Sequence, residues 1–120
     1  MAEVNAEDTI VLLKKARSAA QAIKDEIVRR NRLGGDPDDA ARRRPILLRA
    51  MSLIEDADEE IDDLESSLVT VEVDTPVLDR IVTLADDLDR QIARNAIVNL
   101  GLDSLTEALN GVSEIKDALA

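Results

Sequence analysis

Between Ile46 and Val71, apolar residues recur at alternating spacings of three and four residues. Such a rhythm places them on one stripe of an α-helix. The stripe comprises Leu47, Ala50, Ile54, Ala57, Ile61, Leu64, Leu68 and Val71. Eight carboxylates lie between its members, at Glu55, Asp56, Asp58, Glu59, Glu60, Asp62, Asp63 and Glu65. A helix that is apolar on one stripe and negative elsewhere must bury the stripe against other helices, so the sequence predicts an all-α fold.

The composition narrows the kind of core and of chemistry that the chain can have. Its 120 residues suffice for one domain, which we expect to span residues 1–120. Phe, Tyr, Trp, His and Cys are all absent, so the core must consist of Leu, Ile, Val, Ala and Met. Aliphatic cores of this kind suit helix-on-helix packing. Disulfides, thiolate chemistry and histidine-based metal sites are excluded.

Capping signals predict where the first two helices begin and end. Asn5 followed by acidic residues is typical of an N-cap, which predicts a first helix over about 6–33, closed by Gly34. Asp36 and Pro37 predict a second start. Because Pro45 disfavours helix at the residue before it, we expect a short helix over 37–43, a kink, and a second long helix over about 46–69.

The second half of the chain has two further start signals. Residues 69–74 alternate like a strand, but no partner strand is evident, so we favour an extended linker over a strand paired with a second subunit. Thr75 and Pro76 predict a third helix over about 76–100. Ser104 and Glu107 fit a capping box, which predicts a fourth helix over about 104–119. Together these predict an antiparallel up-down-up-down four-helix bundle with a kinked entry to the second long helix.

Catalysis finds no support in the sequence. There is no His or Cys, and no glycine-rich phosphate loop follows a strand, so we expect a non-enzymatic protein without cofactor. Asp56, Asp58 and Glu60 alternate as at the start of a calcium loop. However, Ile61 and Ser67 occupy the positions that need Gly and a bidentate Glu, so we expect no metal site. An acidic N-terminus and apolar runs of at most four residues predict a cytoplasmic protein without a signal peptide or membrane span.

Arginines gather around the turn between the first two helices. The candidate patch for an anion or an acidic partner comprises Arg29, Arg30, Arg32, Arg42, Arg43 and Arg44. Cations stabilise a helix C-terminus, and we favour this structural role for the arginines. Guanidinium groups also pair bidentately with carboxylate and phosphate, so a binding role is the alternative. With a net charge of −11 and no aromatic residue to stack a base, nucleic acid is an unfavourable partner.

Two further surfaces are candidates for binding other proteins. Carboxylates on the outer side of the second long helix could bind a basic partner; they are Asp58, Glu59, Asp62, Asp63 and Glu65. We also expect some of the acids flanking the stripe, Asp58, Glu60 and Glu65, to lie beside Arg17 and Lys24 of the first helix. Apolar residues outside the stripes could mediate self-association; they are Ile10, Val11, Leu12 and Leu48.

The sequence therefore predicts a non-enzymatic interaction or assembly module, with a homo-oligomer as the first hypothesis. The unequal helix lengths motivate it, because a short fourth helix would leave apolar length uncovered on the longer helices. Three alternatives stay open: an acidic decoy or regulator that binds a basic partner, an anion-binding module at the arginines, and a designed scaffold without biological function.

Overall fold

The computed structural model describes residues 1–67 and 69–119. The elements in chain order are β1 (Ala2–Val4), α1 (Ala6–Leu33), α2 (Pro37–Glu65), β2 (Val71–Val73), α3 (Thr75–Ala93), a 3-10 helix (Ala96–Asn99) and α4 (Leu102–Leu119). The predicted all-helical class is confirmed, since 83% of the described residues are helical and the fold is a compact globule. The stripe position Leu68 lies outside the described residues.

Helix α1 has the range that its capping signals predict. The Asn5 side chain accepts a hydrogen bond from the backbone N–H of Asp8 at 2.8 Å, which satisfies one of the free donors of the first turn. Gly34 follows the helix with a φ of 77°, a left-handed value that favours glycine over other residues.

Helix α2 is continuous from Pro37 to Glu65, so the predicted separation into a short helix and a longer one at Pro45 is wrong. A proline inside a helix costs about 3 kcal/mol, because it removes one backbone hydrogen bond and crowds the preceding turn. Core packing on both sides of Pro45 opposes that cost, since Arg43 and Ile46 are both buried. The helix also ends four residues before the predicted boundary of about 69, with Ser66 as its C-cap.

The predicted linker over residues 69–74 is also wrong in part, because Val71–Val73 forms a strand within the chain. It pairs antiparallel with β1, with Ala2 opposite Val73 and Val4 opposite Val71. Val4 and Val73 turn inward and are buried. Three residues are too few for the alternation of β1 to be read from the sequence, which is why a partner strand was not expected.

Helix α3 ends at Ala93, well before the predicted boundary of about 100. Asn95 has a left-handed φ of 52°, which ends the helix, and a 3-10 turn with Ile97 buried follows. Helix α4 begins at Leu102 and not at the predicted position of about 104. The backbone N–H of Leu105 bonds to the carbonyl of Gly101 at 3.0 Å, so Ser104 lies inside the first turn and the predicted capping box is wrong.

The core forms around α1, which packs against α2, α3 and α4. Ala16, Ala19 and Ala20 are fully buried there and allow close approach of neighbouring backbones. The predicted stripe of α2 turns inward, with Ala50, Ile54, Ala57 and Ile61 buried. The other buried aliphatic residues of α2, α3 and α4 are Ile46, Leu53, Ile81, Ala85, Leu88, Leu105, Leu109, Val112, Ile115 and Leu119. The sheet and the 3-10 turn add Val4, Val73 and Ile97 to the core beyond the helices.

Candidate functional surfaces

Residues 26–44 comprise the end of α1, the turn after it and the start of α2, and are called the elbow here; they include a buried carboxylate. Glu26 has a side chain that is only 3% exposed and accepts hydrogen bonds from two arginines. Arg29 donates from Nη2 to Oε1 at 2.6 Å and from Nε to Oε2 at 2.9 Å. Arg30 donates from Nε to Oε1 at 2.8 Å. The hydrogen bond from Arg29, followed by that from Arg30, holds the pKa of Glu26 below its ordinary value even though burial acts in the opposite direction.

Arg30 also connects the elbow to the far end of the chain. Its Nη2 donates to the carbonyl of Leu100 at 2.6 Å and to that of Val98 at 3.3 Å. Both carbonyls belong to the segment that leads into α4. Arg30 therefore has a structural role, since it satisfies a carboxylate and two backbone acceptors at once.

Arg43 is the most deeply buried of the elbow arginines, with 8% of its surface exposed. Its Nε donates to Oδ1 of Asn31 at 2.8 Å. Within residues 1–67 and 69–119, no carboxylate lies within 4 Å of its guanidinium group. The charge is thus buried against a neutral partner. Sequence reasoning treated Arg43 as one of an exposed group, although its spacing of three from Ile46 and seven from Ala50 places it on the buried stripe of α2.

The remaining elbow arginines are exposed. Arg42 lies 3.6 Å from Oδ1 of Asp103. Arg32 and Arg44 form no ion pair with any described residue. The six predicted arginines therefore do not form one free patch, because Glu26 and Asn31 engage half of them.

An open cleft of about 540 Å³ lies beside this group. It is lined by Arg30, Arg42 and Arg43, by Asp39 of α2, and by residues 101–104 at the start of α4. Local sequence patterns do not indicate that the N-terminus of α4 meets the arginines, because about sixty residues separate them along the chain.

The acidic side of α2 divides into paired and unpaired carboxylates. Asp58 accepts a hydrogen bond from Arg17 of α1, as predicted for that pair, and Asp56 lies 3.3 Å from Nζ of Lys116 on α4. The other exposed acids have no cation within 4 Å among the described residues; they are Glu55, Glu59, Asp62, Asp63 and Glu65. We call these five the acidic surface. Asp58 is therefore less available to a partner than the sequence suggested.

Glu60 differs from both groups. One of its carboxylate oxygens, Oε2, is buried and has no hydrogen-bond partner in the described part of the chain. Burial raises the pKa of Glu60, and Lys116 only partly offsets this because it bonds Asp56 and Asp117. The sequence placed Glu60 beside Arg17 and Lys24, but the cation that acts on it comes from α4.

The apolar candidates for self-association are only partly exposed. Leu12 is 8% exposed and belongs to the core, so its predicted role at a surface is wrong. Ile10 is half-buried and packs against the core. Val11 and Leu48 are exposed at 47% and 55%. Val11 lines a cleft of about 290 Å³ together with Leu78 and Val82 of α3.

Neither a metal-binding cluster nor a membrane-spanning helix is present in the part of the chain that the structure describes. No group of three or more Asp or Glu side chains there is arranged to hold a metal ion. None of the helices in that part has both the length and the apolar character that crossing a membrane requires.

Comparison with known proteins adds no relationship from which a family could be assigned. No family model, no curated protein and no solved structure matches this chain.

Proposed function

We propose that this protein is a non-enzymatic interaction module that binds a basic segment of another protein through the acidic surface of α2. The observation that carries the proposal is the set of exposed carboxylates without cations on one helix. The chain forms ion pairs where cations are close, as Asp56 and Asp58 do. The acidic surface, in contrast, is left open for charges from outside.

The position of these acids on α2 supports the proposal. Asp62, Asp63 and Glu65 lie in the last turn, where the helix dipole makes negative charge unfavourable. The last turn contains no basic residue, and the hydroxyls of Ser66 and Ser67 bond the carbonyl of Asp63. Carboxylates at this end lower the stability of the helix, so a binding role gives a reason for their presence.

Charge is also distributed unevenly along α2. Arg43 and Glu65 are 22 residues apart, which corresponds to about 33 Å of helix. Contacts between Arg43 and Asn31, and between Asp58 and Arg17, support the predicted antiparallel pairing of α1 with α2. In the up-down-up-down arrangement, a basic elbow and an acidic end would then lie at opposite ends of the hairpin. A bend at Pro45 stays a prediction.

Self-association through aliphatic side chains is the second candidate, because Val11 is exposed beside the cleft with Leu78 and Val82. Unequal helix lengths give weaker support to self-association than the sequence indicates, since the sheet and the 3-10 turn add buried residues beyond the helices. Leu48, on α2, is exposed but does not line that cleft.

A peptide titration with two double variants tests the proposal. The probe is a synthetic peptide of alternating lysine and alanine, and binding is followed by backbone amide shifts. The test variant, Asp62→Asn with Glu65→Gln, should weaken binding about fivefold, as expected for two exposed charge pairs. The control, Asp79→Asn with Glu107→Gln, removes the same charges from exposed sites on α3 and α4 and should change affinity less than twofold.

The shifts should lie on α2 between residues 55 and 65. If both double variants weakened binding equally, net charge alone would explain the interaction and the proposal would fail. Shifts scattered over all four helices would also contradict it.

A further inference from the structure

We propose that the cleft beside Arg43 binds a tetrahedral oxyanion, either free phosphate or the phosphoryl group of a small compound. The cleft has a volume of about 540 Å³, which lies within the range of small-ligand sites. Donors reach it from two elements that are distant in sequence, the second turn of α2 and the first turn of α4. The inference does not depend on the acidic surface, which lies on another part of α2.

The first observation is the buried charge of Arg43. A charged side chain that is 8% exposed is costly to bury unless an opposite charge compensates it. Asn31 fixes its Nε but supplies no charge. Its two terminal amino groups have no hydrogen-bond acceptor among residues 1–67 and 69–119, and neither is sealed from solvent. A guanidinium group held in this way presents two parallel donors, which match two oxygens of a phosphate.

The second observation is the N-terminus of α4, which borders the same cleft. Leu105 is the first residue whose backbone N–H bonds back within the helix, so the N–H groups of Leu102, Asp103 and Ser104 have no intrahelical acceptor. No side-chain cap occupies these donors in the described residues. Asp103, which could fold back over them, has a fully exposed side chain. An 18-residue helix also adds the positive end of its dipole at this point.

The carboxylates of the cleft set the expected strength of binding. Asp39 and Asp103 both line it and oppose an anion, and Asp103 lies 3.6 Å from Arg42. An incoming anion would replace Asp103 as the partner of Arg42. We therefore expect dissociation constants in the millimolar range. Because the chain has no aromatic residue to stack a base, a small phosphorylated compound fits better than a nucleotide.

Titration of the full chain with inorganic phosphate tests the site, with chloride at equal ionic strength as the reference. We expect saturable amide shifts at Leu102, Asp103 and Ser104. Arg43→Met should weaken binding about tenfold, since it removes a bidentate charge-assisted pair. The matched control Arg44→Met removes the same charge from an exposed neighbour on the same helix and should change affinity less than twofold.

Asp103→Asn supplies a second variant that does not depend on the folding of Arg43→Met. The side chain of Asp103 is fully exposed, and removal of its negative charge should strengthen phosphate binding severalfold. Glycerol phosphate, titrated in parallel, separates the two sources of the anion: tighter binding than phosphate assigns a phosphorylated compound, and weaker binding assigns the free ion. Shifts equal to those with chloride, equal losses in Arg43→Met and Arg44→Met, or no gain in Asp103→Asn would each overturn the proposal.

Discussion

Glu26 on α1 and Glu60 on α2 are both carboxylates with buried oxygens, but their surroundings have opposite effects. Glu26 accepts hydrogen bonds from Arg29 and Arg30, and its pKa is lowered. Glu60 has one oxygen without a partner, and burial raises its pKa. The elbow therefore compensates its buried carboxylate, whereas the acidic half of α2 does not. The pairing of Glu26 with arginines stabilises the fold. The unpaired oxygen of Glu60 does not, so its presence needs another explanation.

The difference extends to the charges around each carboxylate. At the elbow, arginines at the end of α1 stabilise the negative end of that helix as well as Glu26. At the end of α2, acids face the negative end of the helix without any cation in the last turn. Two helices of similar length thus end with opposite charges, and only α1 has the sign that favours its own stability.

The largest effect is expected for Glu26→Gln. The substitution leaves Arg30 without its carboxylate in a mostly buried position, so the free energy of unfolding should fall by about 2–3 kcal/mol. The expected loss is smaller than the loss on breaking a fully buried ion pair, because Arg29 is half exposed. Urea denaturation measures it. Asp25→Asn, at an exposed neighbour whose side chain accepts a hydrogen bond from Gln21, is the control and should cost less than about 0.5 kcal/mol. Equal losses would show that Glu26 has no special role.

Glu60→Gln should change the free energy of unfolding in the opposite direction. It removes a buried charge that lacks a hydrogen bond, and the free energy of unfolding at pH 7 should rise by about 1 kcal/mol. Because the folded state raises the pKa of Glu60, its favourable contribution is present below the ordinary pKa of 4.5 and is lost as pH rises through the folded value. The gain should therefore vanish below pH 4.5. A loss of stability at pH 7 would mean that Glu60 has a partner that the structure does not reveal.

A smaller gain is expected for Asp62→Asn at the end of α2. Removing one negative charge from the unfavourable end of the helix dipole should raise the free energy of unfolding by about 0.3–1 kcal/mol. The effect should shrink in high salt, since the site is exposed. Thermal unfolding at two salt concentrations checks it. Asp38→Asn, at the favourable end of the same helix, should lower stability instead, and equal signs would contradict the dipole argument.

Much of the helical core was predictable, because its spacing leaves few alternatives. The range of α1, the Asn5 cap and the inward stripe of α2 follow from local patterns that neighbouring residues determine. The continuity of α2 through Pro45 was not predictable in this way. Packing of Arg43 and Ile46 opposes the local preference of proline, and that packing depends on residues far away in sequence.

The functional surfaces were predictable as groups of residues but not as sites. Counting charges finds the arginines and the acids, yet it does not show that Glu26 forms ion pairs with Arg29 and Arg30. Strand β1 is too short to give a periodic signal, so the partner of Val71–Val73 could not be found. The meeting of Arg43 with the start of α4 depends on tertiary structure alone.

The most direct test of the contrast between the two carboxylates is a site-resolved pH titration, followed by NMR of the carboxyl carbons of Glu26 and Glu60. The structure predicts that the pKa of Glu26 lies below the ordinary value of 4.5 and that of Glu60 above it, because the hydrogen bond from Arg29 lowers the first and burial raises the second. If both titrated together near the ordinary value, neither burial nor pairing would distinguish them. The contrast between a compensated Glu26 and an uncompensated Glu60 would then be wrong.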